Sequence, residues 1–285
     1  MDPAVTTPRV IAGGETASEA HRYAVVCAVI AGWMLLGYVL HTSGNAYLLL
    51  GVPLLWLFQR FVARRPLTEL WFASSGSFTL PWWGWLVALG FMVLPVYNLL
   101  AGHAAGWDVR LWLVCAALGA VPLAWSLVRC TRAQWRELVL CLAMAGTVGV
   151  LTVALGFFAH AHSGRTAPVR VVEGLRSLVL YLPVCFIIEE VFFRGGLDTY
   201  LTRGGTRSPW FSAIFLSSLW GWWHLPIVSL GAEHRVAHLI VLVVMLPLVH
   251  CSVGVFLSIF WRRSGLLLVP VASHAFIDAV RNALL

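Results

Sequence analysis

The sequence predicts an all-α protein, a polytopic transmembrane helical bundle with eight or nine spans. Two observations lead to this class. Of the 285 residues, 60% are hydrophobic and only 11% are charged, whereas soluble domains are about 45–50% apolar and 25% charged. Apolar runs long enough to cross a bilayer, which takes about 20 residues, recur along the whole chain. The mean hydropathy of +0.85 agrees with a chain that lies mostly in lipid.

The candidate spans follow a polar amino-terminal tail, residues 1–22, that shows no signal-peptide pattern. A short second run with Pro53 leaves the span count at eight or nine. We divide the remainder into amino-terminal transmembrane helices, residues 23–173, and a carboxy-terminal transmembrane core, residues 174–285. The apolar runs are residues 23–40, 46–62, 80–101, 109–128, 137–159, 174–194, 209–226, 236–260 and 266–285.

The basic charge supports an orientation in the membrane. The formal net charge is +7, and all basic residues are arginine, which is typical of a GC-rich genome. Arginines recur in alternate loops, and the positive-inside rule places such loops in the cytoplasm. We therefore expect a multi-pass protein of the bacterial cytoplasmic (inner) membrane, with the lipid bilayer as its surroundings and no nucleic acid as a partner. The loop arginines are Arg60, Arg64, Arg65, Arg129, Arg132, Arg136, Arg203, Arg207, Arg262 and Arg263.

Two adjacent carboxylates lie at the end of the sixth apolar run, in the stretch YLPVCFIIEEVFFRGGLDTY. An ionisable group at membrane depth is costly and usually marks a functional site or a buried partner. On a helix, Glu190 and Arg194 share a face because they are four residues apart, while Glu189 points about 100° away. We assign Glu190 and Arg194 as a structural pair and Glu189 as the free acid, although the spacing alone fits either order.

Two later segments carry polar pairs at the same helical spacing. Trp220 and His224 lie one turn apart in SLWGWWHLPI, and His274 and Asp278 lie one turn apart in VPVASHAFIDAV. Counted from the turn near Arg207, the acidic pair and His224 lie about 18–24 Å deep, and His274 lies about 15 Å from its own loop on the same side. We therefore expect the three segments to meet near the middle of the bilayer.

A carboxylate and an imidazole that face one cavity suit hydrolysis. The carboxylate can take a proton from water as a general base while the imidazole positions that water. A second histidine with a polar neighbour can stabilise an oxyanion. The same residue types also suit a zinc site, in which Glu189, His224 and His274 would be the ligands. No H-E-x-x-H pattern is present, so zinc is predicted from ligand type alone.

At these motifs the chain resembles the CPBP intramembrane proteases, also called CAAX proteases or the Abi family, which are related to the CAAX prenyl endopeptidase. The family pattern is two glutamates followed after three residues by arginine, then an aromatic residue with histidine four later, then histidine with Asn or Asp four later. The resemblance covers about residues 174 to 285. The matching residues, in the same order, are Glu189, Glu190, Arg194, Trp220, His224, His274 and Asp278.

The resemblance implies a membrane-embedded endopeptidase whose substrate is a membrane-associated or prenylated, CAAX-like peptide or protein. Glu189 and His224 would activate water, and His274 with Asp278 would support the oxyanion. The family is described both as metalloprotease and as metal-free glutamate protease, and we expect no obligatory metal. If a metal takes part, zinc is the candidate.

The chain departs from the family pattern at two positions. Trp220 stands where phenylalanine is usual, and we assign Trp220 and Phe193 to the wall of the substrate pocket. Asp278 stands where asparagine often occurs. An ionised aspartate cannot donate a hydrogen bond to an oxyanion, so Asp278 must either be protonated or orient His274 instead.

Two other classes of function use the same residues. A proton-coupled transporter or channel could employ buried Glu, Arg and His as a relay, but the motifs crowd into the carboxy-terminal third and no repeated half is evident. A non-enzymatic bacteriocin-immunity or scaffolding membrane protein could keep the same residues for folding. A further histidine, His250, lies in the eighth apolar run and could reach the same cavity, but we expect a helix-packing hydrogen bond instead.

Overall fold

The structure is a computed structural model that describes residues 18–73, 77–104, 106–160, 167–203, 205–206, 208–228 and 235–284. About 84% of the described residues are helical. In the described part of the chain the only β feature is an isolated antiparallel bridge between Phe72 and Leu266. The prediction of an all-α protein is therefore confirmed.

Ten helices make up the described chain. Helices α2 and α5 each consist of three consecutive parts, of which the last in α2 and the middle in α5 are π-helices, and α7 is a π-helix that continues into one α-helical turn. Short 3₁₀ turns occur at Leu67–Leu70 and Leu225–Ile227. The helices are α1 Glu19–Leu40, α2 Gly44–Ala63, α3 Trp82–Leu100, α4 Trp107–Arg129, α5 Arg132–Cys141, Leu142–Gly146 and Thr147–His160, α6 Ala167–Val184, α7 Val191–Asp198 and Thr199–Thr202, α8 Pro209–Trp223, α9 Arg235–Ser264 and α10 Leu268–Leu284.

Six described segments are long and apolar enough to cross a bilayer: α1, α2, α3, α4, residues Arg132–Ala154 of α5, and Leu239–Ser264 of α9. Large apolar side chains stay exposed along α1, α3 and α9, as expected of surfaces that face lipid tails. The chain is an integral membrane protein. The count of eight or nine spans is not reached by this measure, because α8 and α10 have only 15 and 17 residues and α6 carries the charged residues Arg170, Glu173 and Arg176.

The sixth predicted span, residues 174–194, is not one continuous helix. Helix α6 contains Pro183 and ends at Val184, and α7 begins at Val191. Between them Glu189 has φ of +49°, in the left-handed region, where a side chain with a Cβ is strained. The π-helical start of α7 is a feature that occurs often at functional sites. The expected helical register across Glu189 and Glu190 is therefore wrong, because the chain changes direction at Glu189.

The helices that carry the polar motifs pack against each other. Helix α6 packs against α4 and α10, and α8 packs along α9. Two of these contacts are closed by glycines that bring helix backbones together. A Cβ on Gly119 would collide with the carbonyl oxygen of Pro183, and a Cβ on Gly221 would lie 2.5 Å from the carbonyl oxygen of Leu246. These contacts fix α6 and α8 close to their neighbours.

Candidate active site

A cavity of about 340 Å³ opens between the break after α6 and helices α8, α9 and α10. Its lining includes Glu189, Trp220, His224, His274 and Asp278. The structure thus brings one residue or more from each of the three predicted segments to a single cavity. The remaining wall combines aliphatic residues such as Leu48, Val153 and Ile227 with polar and aromatic ones such as Asn45 and Tyr181.

Glu190 and Arg194 form a buried ion pair behind the cavity wall. The Nε atom of Arg194 lies 3.3 Å from Oε2 of Glu190, and both side chains are 0% exposed. The guanidinium also stacks over the indole of Trp220, with Cζ 5.1 Å from the ring centroid, a cation–π contact. Neither charged residue lines the cavity, so this pair lies away from any water held there.

His274 lies between two carboxylates. Its Nδ1 atom is 2.9 Å from Oε1 of Glu190, and its Nε2 atom is 3.4 Å from Oδ2 of Asp278. Because Glu190 is paired with Arg194 and accepts, we assign the proton at this contact to Nδ1 of His274. Nε2 then faces the cavity. The ring packs edge-on against Trp220, with centroids 5.2 Å apart.

Glu189 reaches the cavity because the chain turns at that residue. Its side chain is 15% exposed, and its Oε2 atom lies 3.8 Å from Nε2 of His274. The left-handed backbone at Glu189 directs the two adjacent carboxylates to different surroundings: Glu190 to Arg194 in the interior, and Glu189 to the cavity. Strained backbone of this kind is concentrated at functional sites.

His224 directly follows the last residue of helix α8, and a backbone carbonyl one turn earlier fixes the orientation of its ring. Its Nδ1 atom lies 2.8 Å from the carbonyl oxygen of Trp220. A carbonyl only accepts, so we assign the proton to Nδ1, which leaves the lone pair on Nε2. The helix end is held from the other side by the hydroxyl of Tyr47, which donates to the carbonyl of Trp223 at 2.9 Å. Trp33 packs edge-on against the Trp223 indole at 4.9 Å.

A short segment before α3 supports both the break and α10. The indole Nε1 of Trp71 donates to the carbonyl of Phe186 at 2.8 Å, inside the broken stretch. The carbonyl of Trp71 accepts from the amide of Leu267 at 3.0 Å, and the amide of Ala73 donates to the carbonyl of Gly265 at 2.9 Å. The same few residues therefore position the segment of Glu189 and the start of the helix that carries His274.

Two residues that the sequence argument did not assign to the site also line the cavity. His250 packs against His224 with ring centroids 4.2 Å apart, and its Nδ1 lies 2.7 Å from the carbonyl oxygen of Leu246. The Nη1 atom of Arg281 lies 2.9 Å from Oδ1 of Asp278. Arg281 follows Asp278 by three residues, and this spacing on a helix is a signal that could have identified the pair.

Phe193 does not lie where the sequence argument places it. Its side chain is 0% exposed and packs edge-on against Trp223 at 5.3 Å. It is not part of the cavity lining, which Trp220 does join. In the π-helical turn Phe193 points into the core between α7 and α8, so it supports the wall and does not form it.

The predicted zinc set, Glu189, His224 and His274, is not arranged as a ligand sphere. Among the residues that the structure describes, no group of three or more His, Cys, Asp or Glu side chains is placed to hold a metal ion. The donor set therefore does not fit zinc as it stands, and the chemistry below uses only the side chains of the chain.

Comparison with known proteins gives one match. Residues 172–280 match the family model described as Type II CAAX prenyl endopeptidase Rce1-like. This segment contains all seven residues of the three motifs. No curated protein and no solved structure gives a significant match to the chain.

Proposed function

Since residues 172–280 belong to the CAAX protease (CPBP) family of membrane endopeptidases, we propose that the chain is an intramembrane endopeptidase. It hydrolyses a peptide bond of a membrane-associated or prenylated, CAAX-like substrate, and Glu189 and His224 activate the attacking water. The observation that carries the proposal is the shared cavity, which Glu189, His224 and His274 line together. Glu190, by contrast, is buried with Arg194.

The attacking water is held between two acceptors. Glu189 takes one proton of the water as general base, and the Nε2 lone pair of His224 accepts a hydrogen bond from the other. The resulting hydroxide forms a bond to the scissile carbonyl carbon. The proton on Glu189 then passes to the leaving amine nitrogen as the C–N bond breaks, which restores the carboxylate. The strained backbone at Glu189 keeps the carboxylate at the cavity in the free protein.

The oxyanion of the tetrahedral intermediate is stabilised by His274. In the doubly protonated imidazole, Nδ1 donates to Glu190 and Nε2 donates on the cavity side, where the carbonyl oxygen of a bound peptide carries the developing charge. Asp278, 3.4 Å from the same Nε2, orients the ring. Trp220 contacts His274, His224 and the Arg194 guanidinium, so its indole holds these three groups in one arrangement.

The setting of this reaction is the cytoplasmic (inner) membrane of a bacterium. With α6 and α7 counted as one broken span, and α8 and α10 as one span each, the six spans become nine, within the predicted eight or nine, although each of these helices is too short or too charged to count alone. Irregular backbone at membrane depth is tolerated where it is enclosed by protein or lines a water-filled cavity, and the break at Glu189 does line the cavity.

The test is cleavage by the purified protein in liposomes. The probe is an internally quenched peptide with a farnesylated carboxy-terminal CAAX sequence, and the same peptide without the farnesyl group reports the need for the lipid. We expect the wild type to cleave the peptide, and Glu189→Gln and His224→Ala to be inactive but inserted. Glu137→Gln, which removes a partner of the half-exposed Arg263 outside the cavity lining, serves as the matched control and retains activity. Full activity of Glu189→Gln would rule out the proposed base.

A further inference from the structure

Asp278 is a buried carboxylate that needs a partner. The residue is 6% exposed, and a buried carboxylate without a partner costs several kcal/mol. Its neighbour His274 is also within 2.9 Å of Glu190, so the two acids share one imidazole. An asparagine at position 278 would carry no such charge, and it could donate from its amide. An aspartate at position 278 therefore needs a cationic partner, whereas an asparagine does not.

Arg281, on the next turn of α10, is the cationic partner of Asp278. Its Nη1 atom lies 2.9 Å from Oδ1 of Asp278, while the other oxygen, Oδ2, lies 3.4 Å from Nε2 of His274. The side chain of Arg281 is 45% exposed, so the guanidinium remains solvated on one side. Its contact with Oδ1 leaves Oδ2 directed to the imidazole.

The five side chains form a chain of alternating partners. Arg194 pairs with Glu190, Glu190 contacts Nδ1 of His274, Nε2 of His274 lies beside Asp278, and Asp278 pairs with Arg281. Each carboxylate is thus held by an arginine on one side and faces the imidazole on the other. A carboxylate oxygen beside each ring nitrogen, at 2.9 Å from Nδ1 and 3.4 Å from Nε2, with Glu189 3.8 Å from Nε2, is the setting of an imidazole that carries protons on both nitrogens.

We propose that Arg281 is a positioning residue for the reaction: its guanidinium binds Oδ1 of Asp278 and keeps Oδ2 turned toward His274, so that Nε2 of His274 presents a proton to the cavity. This inference rests on the proposed function in so far as it concerns catalysis. It also explains how this chain functions with aspartate at position 278. The competing description is a surface ion pair of little consequence, since exposed pairs contribute about 0–1 kcal/mol.

The experiment is a double-mutant cycle. Arg281→Gln and Arg281→Lys are made in the wild type and in an Asp278→Asn background, and cleavage of the farnesylated probe is measured in liposomes. We expect Arg281→Gln to lower kcat of the wild type by about 10- to 100-fold with KM nearly unchanged, as for loss of an interaction made in the transition state. Arg281→Lys, which keeps the positive charge, should retain most of the kcat of the wild type. In the Asp278→Asn background, Arg281→Gln should cause no further loss.

The thermal stability of the same variants measures the coupling between Arg281 and Asp278 without a substrate. Arg281→Gln should lower the unfolding temperature of the wild type but not of Asp278→Asn, because only the wild type is left with an unpaired buried carboxylate. Arg263→Gln, which breaks the more exposed pair with Glu137, is the control and should change neither readout. If the wild type cleaves no probe but the stability coupling is present, the proposed function fails and the charge coupling stands.

Three results would overturn the inference. Equal losses on both backgrounds would show that Arg281 acts on the helix and not through Asp278. A change in KM alone would show that Arg281 contacts substrate directly. Absence of coupling in thermal stability would show that Asp278 does not depend on the guanidinium.

Discussion

His274 donates from Nδ1 to Oε1 of Glu190 across 2.9 Å, on the side of the imidazole that faces away from the cavity. This contact explains why two adjacent glutamates have different roles in the proposed reaction. Glu190 is already occupied by His274 and Arg194, and it is fully buried. Glu189 has no arginine within ion-pair distance among the described residues and lies at the cavity.

The first prediction separates the two glutamates. Glu189→Gln should lower kcat by about 10²- to 10⁴-fold, the usual contribution of a general base, with little change in stability. Glu190→Gln should destabilise the protein by about 3–5 kcal/mol, because it leaves the buried Arg194 guanidinium unpaired. Peptide cleavage in liposomes and thermal unfolding in detergent measure the two effects. Equal stability losses in the two variants would contradict the assignment.

The second prediction concerns the ring of His250. Its Nδ1 is held by the carbonyl of Leu246 and its face packs on His224, so we expect its shape to matter more than its nitrogens. His250→Phe should keep activity within about threefold of the wild type, whereas His250→Ala should lose about 10-fold as His224 gains freedom to move. The measurement is kcat for the quenched peptide. Inactivity of His250→Phe at normal stability would instead indicate a chemical role for Nε2.

The parts of the site that depend on spacing were predictable from sequence. Glu190 and Arg194 pair as an i, i+4 couple, and His274 and Asp278 lie side by side one turn apart on α10. These contacts need only a helical backbone over a few residues. The turn at Glu189 could not be predicted, because residues 185–188 are as apolar and as compatible with a helix as the residues before them. Pro183 is the one local signal, and proline is compatible with a kink as well as with a helix end.

Contacts made by segments outside the three motifs could not be predicted from the sequence. The hydrogen bond of Trp71 to Phe186 joins residues that are 115 positions apart, and no periodicity connects them. The sequence prediction places Phe193 in the pocket wall, but the wider turn of the π-helix directs its ring toward Trp223. Arg281 was missed because an arginine in the last turn of a helix is commonly a helix-end residue.

The third prediction tests the support of the broken segment. Trp71→Phe removes the donor to the Phe186 carbonyl and leaves a carbonyl without that partner, which should cost about 1–2 kcal/mol. Because this bond holds the stretch that directs Glu189, kcat should fall as well. Trp82→Phe is the matched control, since Trp82 is 75% exposed, and it should behave as the wild type. Gel filtration of heated samples and peptide cleavage report the two quantities.

The last prediction tests the packing of α8 on α9. A Cβ at Gly221 would lie 2.5 Å from the carbonyl oxygen of Leu246, so Gly221→Ala must push the two backbones apart, at a cost of about 1–3 kcal/mol. Gly221 precedes His224 by three residues, and the carbonyl oxygen of Leu246 orients the ring of His250. A displacement at this contact therefore moves both imidazoles. We expect a lower unfolding temperature together with reduced kcat. Gly90→Ala in α3, where a Cβ meets nothing within 4 Å, should leave activity unchanged and slightly stabilise the helix. If both glycine variants keep full activity, the contact between α8 and α9 does not set the position of His224.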